Sequence, residues 1–232
     1  MPANRKAQAL EFIHGVSQLA SSSIKERLRT MPENRQQEVL RFALSVLQDP
    51  ALKKKEELRN GAVRLIIALL PDTFPVLEEL LTDCSSQFWY RTHFMIFAAL
   101  DRGDLKRNDQ MHVLRVIHSY LIHASSDAGA AAWKAGDLLG DEWRDQETVR
   151  LLEELLFSAR YAAGRKAALH GIEHALTKAT PSESRHLFAL IRKTASQDRS
   201  AEVRRKAQLA LQGVGCGPPL SSIPRMAASC PS

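Results

Sequence analysis

Glycine and proline are scarce through most of this 232-residue sequence. Only 14 of the first 212 residues are glycine or proline, whereas an all-β domain needs a turn about every 8–12 residues, often built with these residue types. Sustained alternation of apolar and polar residues, the pattern of a half-buried strand, is absent as well. These two absences argue against an all-β fold, and the sequence predicts no sheet.

Long apolar runs and cysteines are also few. The longest uncharged apolar stretches, such as residues 65–70, fall far short of the roughly 20 residues that a membrane-spanning helix needs. The first residues show no secretory leader, because no apolar run follows the early basic residues. Three widely spaced cysteines, Cys84, Cys216 and Cys230, favour a reducing compartment over a disulfide framework. We therefore expect a cytoplasmic protein without a membrane partner.

Short motifs of several common enzyme classes are missing. The sequence has no G-x-x-x-x-G-K-[ST] phosphate loop, no G-x-S-x-G nucleophile turn and no G-x-G-x-x-G dinucleotide motif. Cys84 follows Asp83 without a neighbouring group that would activate a thiol. These absences leave nucleotide hydrolysis, serine hydrolysis and dinucleotide chemistry without support from the sequence.

Helical periodicity is what the sequence does contain. Apolar residues recur at steps of three and four, as in Leu151, Leu152, Leu155 and Leu156. Start signals such as Thr180-Pro181-Ser182-Glu183, with a capping hydroxyl and a glutamate three residues later, divide the chain into helices. The predicted helices span residues 3–20, 33–48, 51–70, 73–83, 87–101, 108–124, 128–140, 146–158, 162–178, 182–196 and 200–213.

The clearest internal similarity lies between two of these helices, 162–178 and 200–213. Four positions of the first match four of the second step for step: Arg165, Ala168, Gly171 and Ile172 match Arg204, Ala207, Ala210 and Leu211. Small residues at such positions let two helices approach closely. The pattern resembles the HEAT-repeat family, particularly its short bacterial form.

This resemblance implies an all-α fold, an α-solenoid of about five stacked antiparallel helix pairs. The solenoid would cover residues 49–213, with residues 1–48 as an N-terminal helical cap. Seven of the last 20 residues are glycine or proline, so residues 214–232 are predicted to form a disordered tail.

A histidine motif on the helix 162–178 invites comparison with zinc proteases. His170, Glu173 and His174 form an H-x-x-E-H pattern, in which two histidines one turn apart hold zinc. The third ligand is missing, because the downstream candidates Glu183 and Glu202 would lie in other repeats. The alternative is an exposed polar ridge. The sequence therefore predicts no metal site and no cofactor.

Trp133 and Asp137 lie one helical turn apart and can share one face. The pair is similar to a motif of the alkylpurine DNA glycosylases that are built from HEAT-like repeats. That resemblance implies that Trp133 stacks on a damaged nucleotide, Asp137 stabilises the cationic sugar and Arg165 grips phosphate. Residues 206–210 offer no second aromatic residue, so the clamp would be half built. The alternative is that Trp133 packs between repeats.

Positive charge is concentrated in the last third of the chain. Residues 1–149 carry 19 Lys or Arg and 20 Asp or Glu, whereas residues 150–215 carry 12 and 6. Such an excess attracts phosphate-rich polymers or acidic protein surfaces. The candidate binding residues are those near the starts of the matched helices, Arg165, Lys166, Arg204, Arg205 and Lys206. By the HEAT resemblance, Arg165 and Arg204 would also bond to neighbouring loops.

The densest aromatic stretch runs from residue 88 to residue 97. Successive helical residues point about 100° apart, so Phe88, Trp89 and Tyr90 cannot all face one core. If Tyr90, Phe94 and Phe97 form the core, then Phe88 or Trp89 points to solvent or to a neighbouring repeat. Exposed aromatic residues are favoured anchors of protein interfaces, and the alternative is that the stretch is buried beneath the preceding helices.

The sequence thus leads to two functional hypotheses. In the first, the protein is a non-enzymatic HEAT-like scaffold that binds a macromolecular partner, expected to be a protein, along the surface of its second helices. In the alternative, it binds nucleic acid through the basic region 150–215, with or without base excision. The first would leave the chain without catalytic residues, whereas the second would assign Asp137 and Trp133 to a catalytic site.

Overall fold

The structure is a computed structural model that describes residues 3–52, 54–82, 90–100 and 105–214. All regular elements within these ranges are helical, which confirms the all-α prediction. The α-helices are α1 (Ala3–Gly15), α2 (Ser21–Arg29), α3 (Glu33–Gln48), α4 (Glu56–Ala68), α5 (Phe74–Thr82), α6 (Tyr90–Ala99), α7 (Arg107–His123), α8 (Gly129–Asp137), α9 (Gln146–Ser158), α10 (Ala162–Leu176), α11 (Pro181–Gln197) and α12 (Ala201–Val214). Among the helices described, none combines the length and apolar character that crossing a membrane requires.

Capping side chains set the boundaries that agree best with the sequence. Helix α9 spans the predicted residues 146–158, and the Asp145 carboxylate accepts from the backbone amides of Glu147 and Thr148 at 2.9 and 2.8 Å. Thr180 caps α11 as expected, and its own amide donates to Glu183 at 2.8 Å. Each reciprocal cap satisfies amides that the first turn of a helix leaves without partners.

Other boundaries differ from the prediction. The helix expected over residues 3–20 ends at Gly15, and α2 occupies a stretch between two of the predicted helices. Helix α2 has nine residues and buries Ile24 and Leu28. Helix α8 ends at Asp137 and continues into a π-helical turn, Leu138–Glu142, so the regular α-helix ends three residues before the end of the predicted helix 128–140.

The chain divides into two compact units, of which the first extends to Lys178. Within this unit α4 packs on α6, α6 on α8, and α8 on α10. A second row runs beside it, in which α5 packs on α7 and α7 on α9. The rows meet through the α9–α10 and α7–α8 contacts, and Phe97 and Trp143 are among the largest side chains buried there.

The second unit begins at Ala179, and its described part consists of α11 and α12, which pack on each other. Leu187 and Ile191 of α11 and Val203 and Ala207 of α12 are buried. The predicted domain limits at residues 48 and 213 remain predictions. The predicted tail, residues 214–232, lies outside the described residues except for the last residue of α12.

One arginine contact recurs at the start of three helices. In α4, α10 and α12 the fourth residue is an arginine whose guanidinium donates to the carbonyl of a preceding loop or helix end: Arg59 to Leu47 at 3.1 Å, Arg165 to Ala159 at 2.9 Å and Arg204 to Asp198 at 2.6 Å. The expected loop contacts of Arg165 and Arg204 are therefore present. The equivalence of these two positions, inferred from the sequence, extends to their hydrogen bonding.

Helix α6 corrects the predicted aromatic core. Phe97 is fully buried and its ring lies 5.0 Å from that of Tyr120, but Phe94 is 42% exposed. The prediction that Phe94 is a core residue is wrong, because α6 is flanked by α4 and α8 and keeps only a narrow outward strip that includes Phe94. Phe88 and Trp89 lie outside the described residues.

Candidate functional site

Glycines bring α8 and α10 unusually close together. A Cβ on Gly136 would collide with the backbone carbonyl oxygen of Ala167, and one on Gly140 would collide with that of Gly171. A Cβ on Gly171 would in turn lie 2.5 Å from the carbonyl oxygen of Gly136. Because the two backbones touch at these positions, short side chains beside them can reach from one helix to the other.

Trp133 uses this proximity to contact α10. Its indole stacks on the imidazole of His170, with ring centroids 3.8 Å apart and planes inclined by 24°. The side chain nevertheless remains 41% exposed. The expectation that Trp133 packs between helices is therefore met in part, since the indole contacts α10 and still presents a large apolar area to solvent.

Asp137 lies between two imidazoles of α10. Its Oδ1 is 3.1 Å from Nε2 of His174 and 3.8 Å from Nε2 of His170. The two imidazole rings meet edge to face with centroids 4.5 Å apart. We call Asp137, His170 and His174 the Asp–His cluster. All three side chains are half-buried.

The Asp–His cluster supplies a different third side chain beside the H-x-x-E-H motif from the ones expected. The downstream candidates, Glu183 and Glu202, both belong to the second unit. The group that joins the histidines is Asp137, which precedes them in the chain. The motif is also not a simple exposed ridge, because Trp133 covers part of His170. Each of the two helices carries a pair of side chains one turn apart, and glycines beside these pairs let the helices approach closely. This combination is the signal that could have revealed the arrangement.

Charged side chains surround the cluster. Lys134 Nζ donates to Oδ2 of Asp137 at 3.2 Å and to Oε1 of Glu142 at 2.7 Å. Burial disfavours the charge of Lys134, but its bonds to Glu142 and Asp137 outweigh that penalty and raise its pKa. Beside it, Lys178 donates to Asp141, which lowers the pKa of that carboxyl. The π-helical turn supplies both acidic partners, Asp141 and Glu142.

Arg165 does not face this surface. It is only 3% exposed, and its guanidinium donates to the carbonyl oxygens of Ala159 and Arg160 at 2.9 and 3.4 Å. The phosphate contact that the glycosylase resemblance implied for Arg165 is therefore not supported. Of the three residues in the glycosylase-like motif, Trp133 and Asp137 share one face, whereas Arg165 does not.

The other predicted basic residues are divided between the two units. Lys166 is half-buried on α10 of the first unit. Arg204 and Lys206 are half-buried and Arg205 is exposed on α12 of the second unit. A continuous basic stripe across the matched helices therefore remains a prediction.

A groove lies along the row of α4, α6 and α8. Its volume is about 850 Å³, and its walls include Arg64 from α4, Phe94 and Ala98 from α6, and Ala130 from α8. Trp133 is one turn further along α8 than Ala130. We call Phe94, Ala98, Ala130 and Trp133, which are all exposed, the α6–α8 face.

The charges that line the groove are of both signs. Glu56 and Glu57 of α4 lie beside Arg64 and Arg91. Arg91 pairs with Glu56, and Arg64 donates to the carbonyl oxygen of Leu19 at 3.0 Å. The groove thus joins an apolar strip to a nearly balanced set of charges, a combination that suits an amphipathic segment better than a polyanion.

Comparisons of the chain with protein-family models, with curated proteins and with solved structures found no match. The resemblance to HEAT repeats therefore stays an expectation from the sequence. The function has to be inferred from the α6–α8 face, the groove and the Asp–His cluster themselves.

Proposed function

We propose that the protein is a non-enzymatic, HEAT-like α-solenoid scaffold that binds a partner protein along the outward side of α4, α6 and α8. The two rows of packed helices support the solenoid arrangement. The binding site rests on one observation: Phe94, 42% exposed, lines a groove of about 850 Å³, and Trp133, 41% exposed, lies one helical turn from Ala130, which lines the same groove. Exposed aromatic side chains beside a concave surface are typical anchors of interfaces.

The mixed charge of the groove favours a protein over a nucleic acid. A phosphate backbone would be held by a surplus of Lys and Arg, but Glu56 and Glu57 offset Arg64 and Arg91 here. A helix of the partner with apolar residues on one side could place them between Phe94 and Trp133. Its charged residues would then meet groups of opposite sign at the rim.

Site-specific photocrosslinking tests this proposal. A photoreactive residue in place of Ala98, which is exposed in the groove wall, should yield a defined crosslinked protein from the source cell. The double variant Phe94→Ala/Trp133→Ala should abolish that product. Phe157→Ala is the matched control, since Phe157 is 44% exposed but lies on α9 of the other row.

The possible outcomes distinguish a specific interface from nonspecific association. Loss of the product in the double variant, with retention in Phe157→Ala, supports the proposal. Equal loss in both, or no product from position 98, contradicts it. Phe94→Ala and Phe157→Ala change exposed side chains and should alter the unfolding free energy by less than about 0.5 kcal/mol. Trp133→Ala also removes the stacked pair with His170 and should cost about 0.5–1.5 kcal/mol, and a much larger change in any variant would mark a folding defect.

Nucleic-acid binding is the second candidate, and the exposed Trp133 beside Asp137 favours it together with the basic excess after residue 150. If phosphate contacts hold duplex DNA, the affinity must fall steeply with salt. Arg205→Ala should then weaken binding more cleanly than Arg204→Ala, because Arg204 also holds the carbonyl of Asp198. Base excision would release free base from alkylated DNA, and Asp137→Asn would abolish the release. Absence of binding at low salt contradicts this candidate.

A further inference from the structure

Two imidazoles and one carboxylate converge where α8 meets α10. Asp137, His170 and His174 each offer one ligand atom, and these atoms lie within 4.8 Å of one another. Zinc holds nitrogen and oxygen ligands at about 2.0–2.2 Å in a tetrahedron, which places its ligand atoms about 3.3–3.5 Å apart. The observed separations from Oδ1 of Asp137, 3.1 and 3.8 Å, lie on either side of that range. Both of these separations are within about 0.3 Å of the tetrahedral range, and the third, between the two imidazole nitrogens, is at most 4.8 Å.

The ligand atoms are held by their surroundings. The His170 ring is fixed on one side by the Trp133 indole, and its Nδ1 lies 3.5 Å from Oε2 of Glu173. A carboxylate on the second ring nitrogen is the usual partner of a metal-bound histidine, because it orients the ring and raises its basicity. Lys134 donates a hydrogen bond to Oδ2 of Asp137. The other oxygen, Oδ1, can therefore bind a metal as a monodentate ligand.

The local charge also suits a cation. Asp137, Asp141, Glu142 and Glu173 lie at the junction, where Lys134 pairs with Asp137 and Glu142 and Lys178 pairs with Asp141. The backbone contacts at Gly136 and Gly171 fix the distance between the two helices. A site with ligands from two helices held in this way needs little rearrangement on binding.

From this geometry we propose that Asp137, His170 and His174 bind one divalent transition-metal ion, with Zn²⁺ as the expected ion. Two imidazoles and a carboxylate select Zn²⁺ or a similar first-row ion over Mg²⁺ and Ca²⁺, which prefer oxygen ligands. Three protein ligands leave a fourth position for water, as in zinc sites that are open to solvent. This inference does not depend on the partner proposed above.

The competing explanation is that Asp137 only accepts a hydrogen bond from the His174 imidazole and lies beside that of His170. The 3.1 Å separation from His174 is normal for such a bond. The two explanations differ in what zinc does to the protein. Hydrogen bonding alone provides no zinc site, whereas a metal site binds one ion per chain and loses it when any of the three ligands is changed.

Calorimetric titration of Zn²⁺ into chelator-treated full-length protein tests the site. Cys84, Cys216 and Cys230 are first replaced by serine, so that thiolates cannot bind the ion. We expect one Zn²⁺ per chain and no comparable binding of Mg²⁺ or Ca²⁺. Asp137→Asn and His174→Ala should each weaken binding by more than about 100-fold, and Glu173→Gln by about 10-fold, since partners of metal-bound histidines typically contribute 10–100-fold.

His118→Ala is the matched control. Its Nε2 also lies near a carboxylate oxygen, 3.2 Å from Oε1 of Glu154, but it has no place in the Asp–His cluster. The zinc affinity of this variant should equal that of the parent protein. If His174→Ala does not fold, as judged by circular dichroism, Asp137→Asn and His174→Gln provide the same comparison with smaller changes of shape.

X-ray absorption at the zinc edge gives a readout that affinity alone does not. The cluster predicts nitrogen and oxygen neighbours at about 2.0–2.1 Å, including two imidazoles. Absence of zinc binding in the cysteine-free protein overturns the proposal. Unchanged affinity in Asp137→Asn, or equal losses in His118→Ala and His174→Ala, overturns it as well, because the ion would then bind elsewhere.

Discussion

Helices α10 and α12 have matching residues on their buried faces and different residues on their outer faces. The fourth residue of each helix is an arginine, whose guanidinium donates a hydrogen bond to the backbone carbonyl oxygen of the residue six positions earlier. Five residues after that arginine, α10 has His170, which is stacked on Trp133, whereas α12 has Leu209, which is 58% exposed. Four residues further, α10 has His174 and α12 has Gly213.

This difference indicates which positions of the shared sequence pattern are required for helix packing. The arginine and the small residues make contacts that any pair of closely packed helices needs, so they recur in both helices. The outward positions make no such contacts by necessity, and in α10 they form part of the Asp–His cluster. Functional residues are therefore to be sought where α10 departs from α12 and not where the two agree.

The largest effect should come from making the α10 crossing resemble that of α12, where Ala210 matches Gly171. In Gly171→Ala the new Cβ would lie 2.5 Å from the carbonyl oxygen of Gly136 and 2.7 Å from a methyl carbon of Leu152. Overpacking of this kind costs about 1–3 kcal/mol, and we expect the upper end because one neighbour is backbone. Urea unfolding measures the loss.

Gly129→Ala is the control for Gly171→Ala. A Cβ at Gly129, in the first turn of α8, would meet no atom within 4 Å. Replacing glycine at such a compatible position stabilises a protein by about 0.4–1 kcal/mol. Equal destabilisation by both variants would show that close approach at Gly171 does not distinguish α10.

Sequence patterns were sufficient for the elements with strong local signals. The capping residue Thr180 and the matched arginines Arg165 and Arg204 are all recognisable in the sequence. Helix α2, which spans only nine residues, was not among the predicted helices. The position of Phe94 was also missed, since Phe94 and Phe97 lie about 60° apart around a helix and only the packing of α4 and α8 decides which of the two is covered.

The Asp–His cluster could not be assembled from the sequence because it depends on tertiary contacts. His170 and His174 are one turn apart and were recognised as a pair. Asp137 joins them from another helix, and only the backbone contacts at Gly136 and Gly171 bring it within reach. The π-helical turn after Asp137, which places Glu142 against Lys134, had no sequence signal that was recognised.

A smaller effect should distinguish the two arginines. Arg165→Ala removes a buried guanidinium that satisfies two carbonyl groups, and the loss of such charge-assisted bonds should cost about 1.5–3 kcal/mol. Arg204 is half-buried and donates to one carbonyl, so Arg204→Ala should cost less. Chemical denaturation gives both values. A larger loss in Arg204→Ala would contradict the view that burial determines the cost.

The ion pair between Asp141 and Lys178 should contribute less still. Its hydrogen bond lowers the pKa of Asp141, so its stabilisation is present above the unfolded-state pKa of about 3.9 and is lost as the pH falls through the folded-state value. Both side chains are largely exposed, which limits the effect to below about 1 kcal/mol. Lys178→Ala should reduce stability at neutral pH, and the difference from the parent protein should vanish in acid or high salt. A difference that persists in acid would assign the loss to packing.

The smallest effect should follow from giving α12 the outward residue of α10. In Leu209→His an exposed apolar side chain is replaced by a polar one, and surface substitutions of this kind usually change stability by less than about 0.5 kcal/mol. His170→Leu, the reverse change, should cost more, because it removes an aromatic pair with Trp133 that is worth about 0.5–1.5 kcal/mol. Thermal and urea unfolding of the two variants should therefore rank them in that order. If Leu209→His proved the more damaging, α12 would use this outward position for packing, and the contrast drawn between the two helices would be wrong.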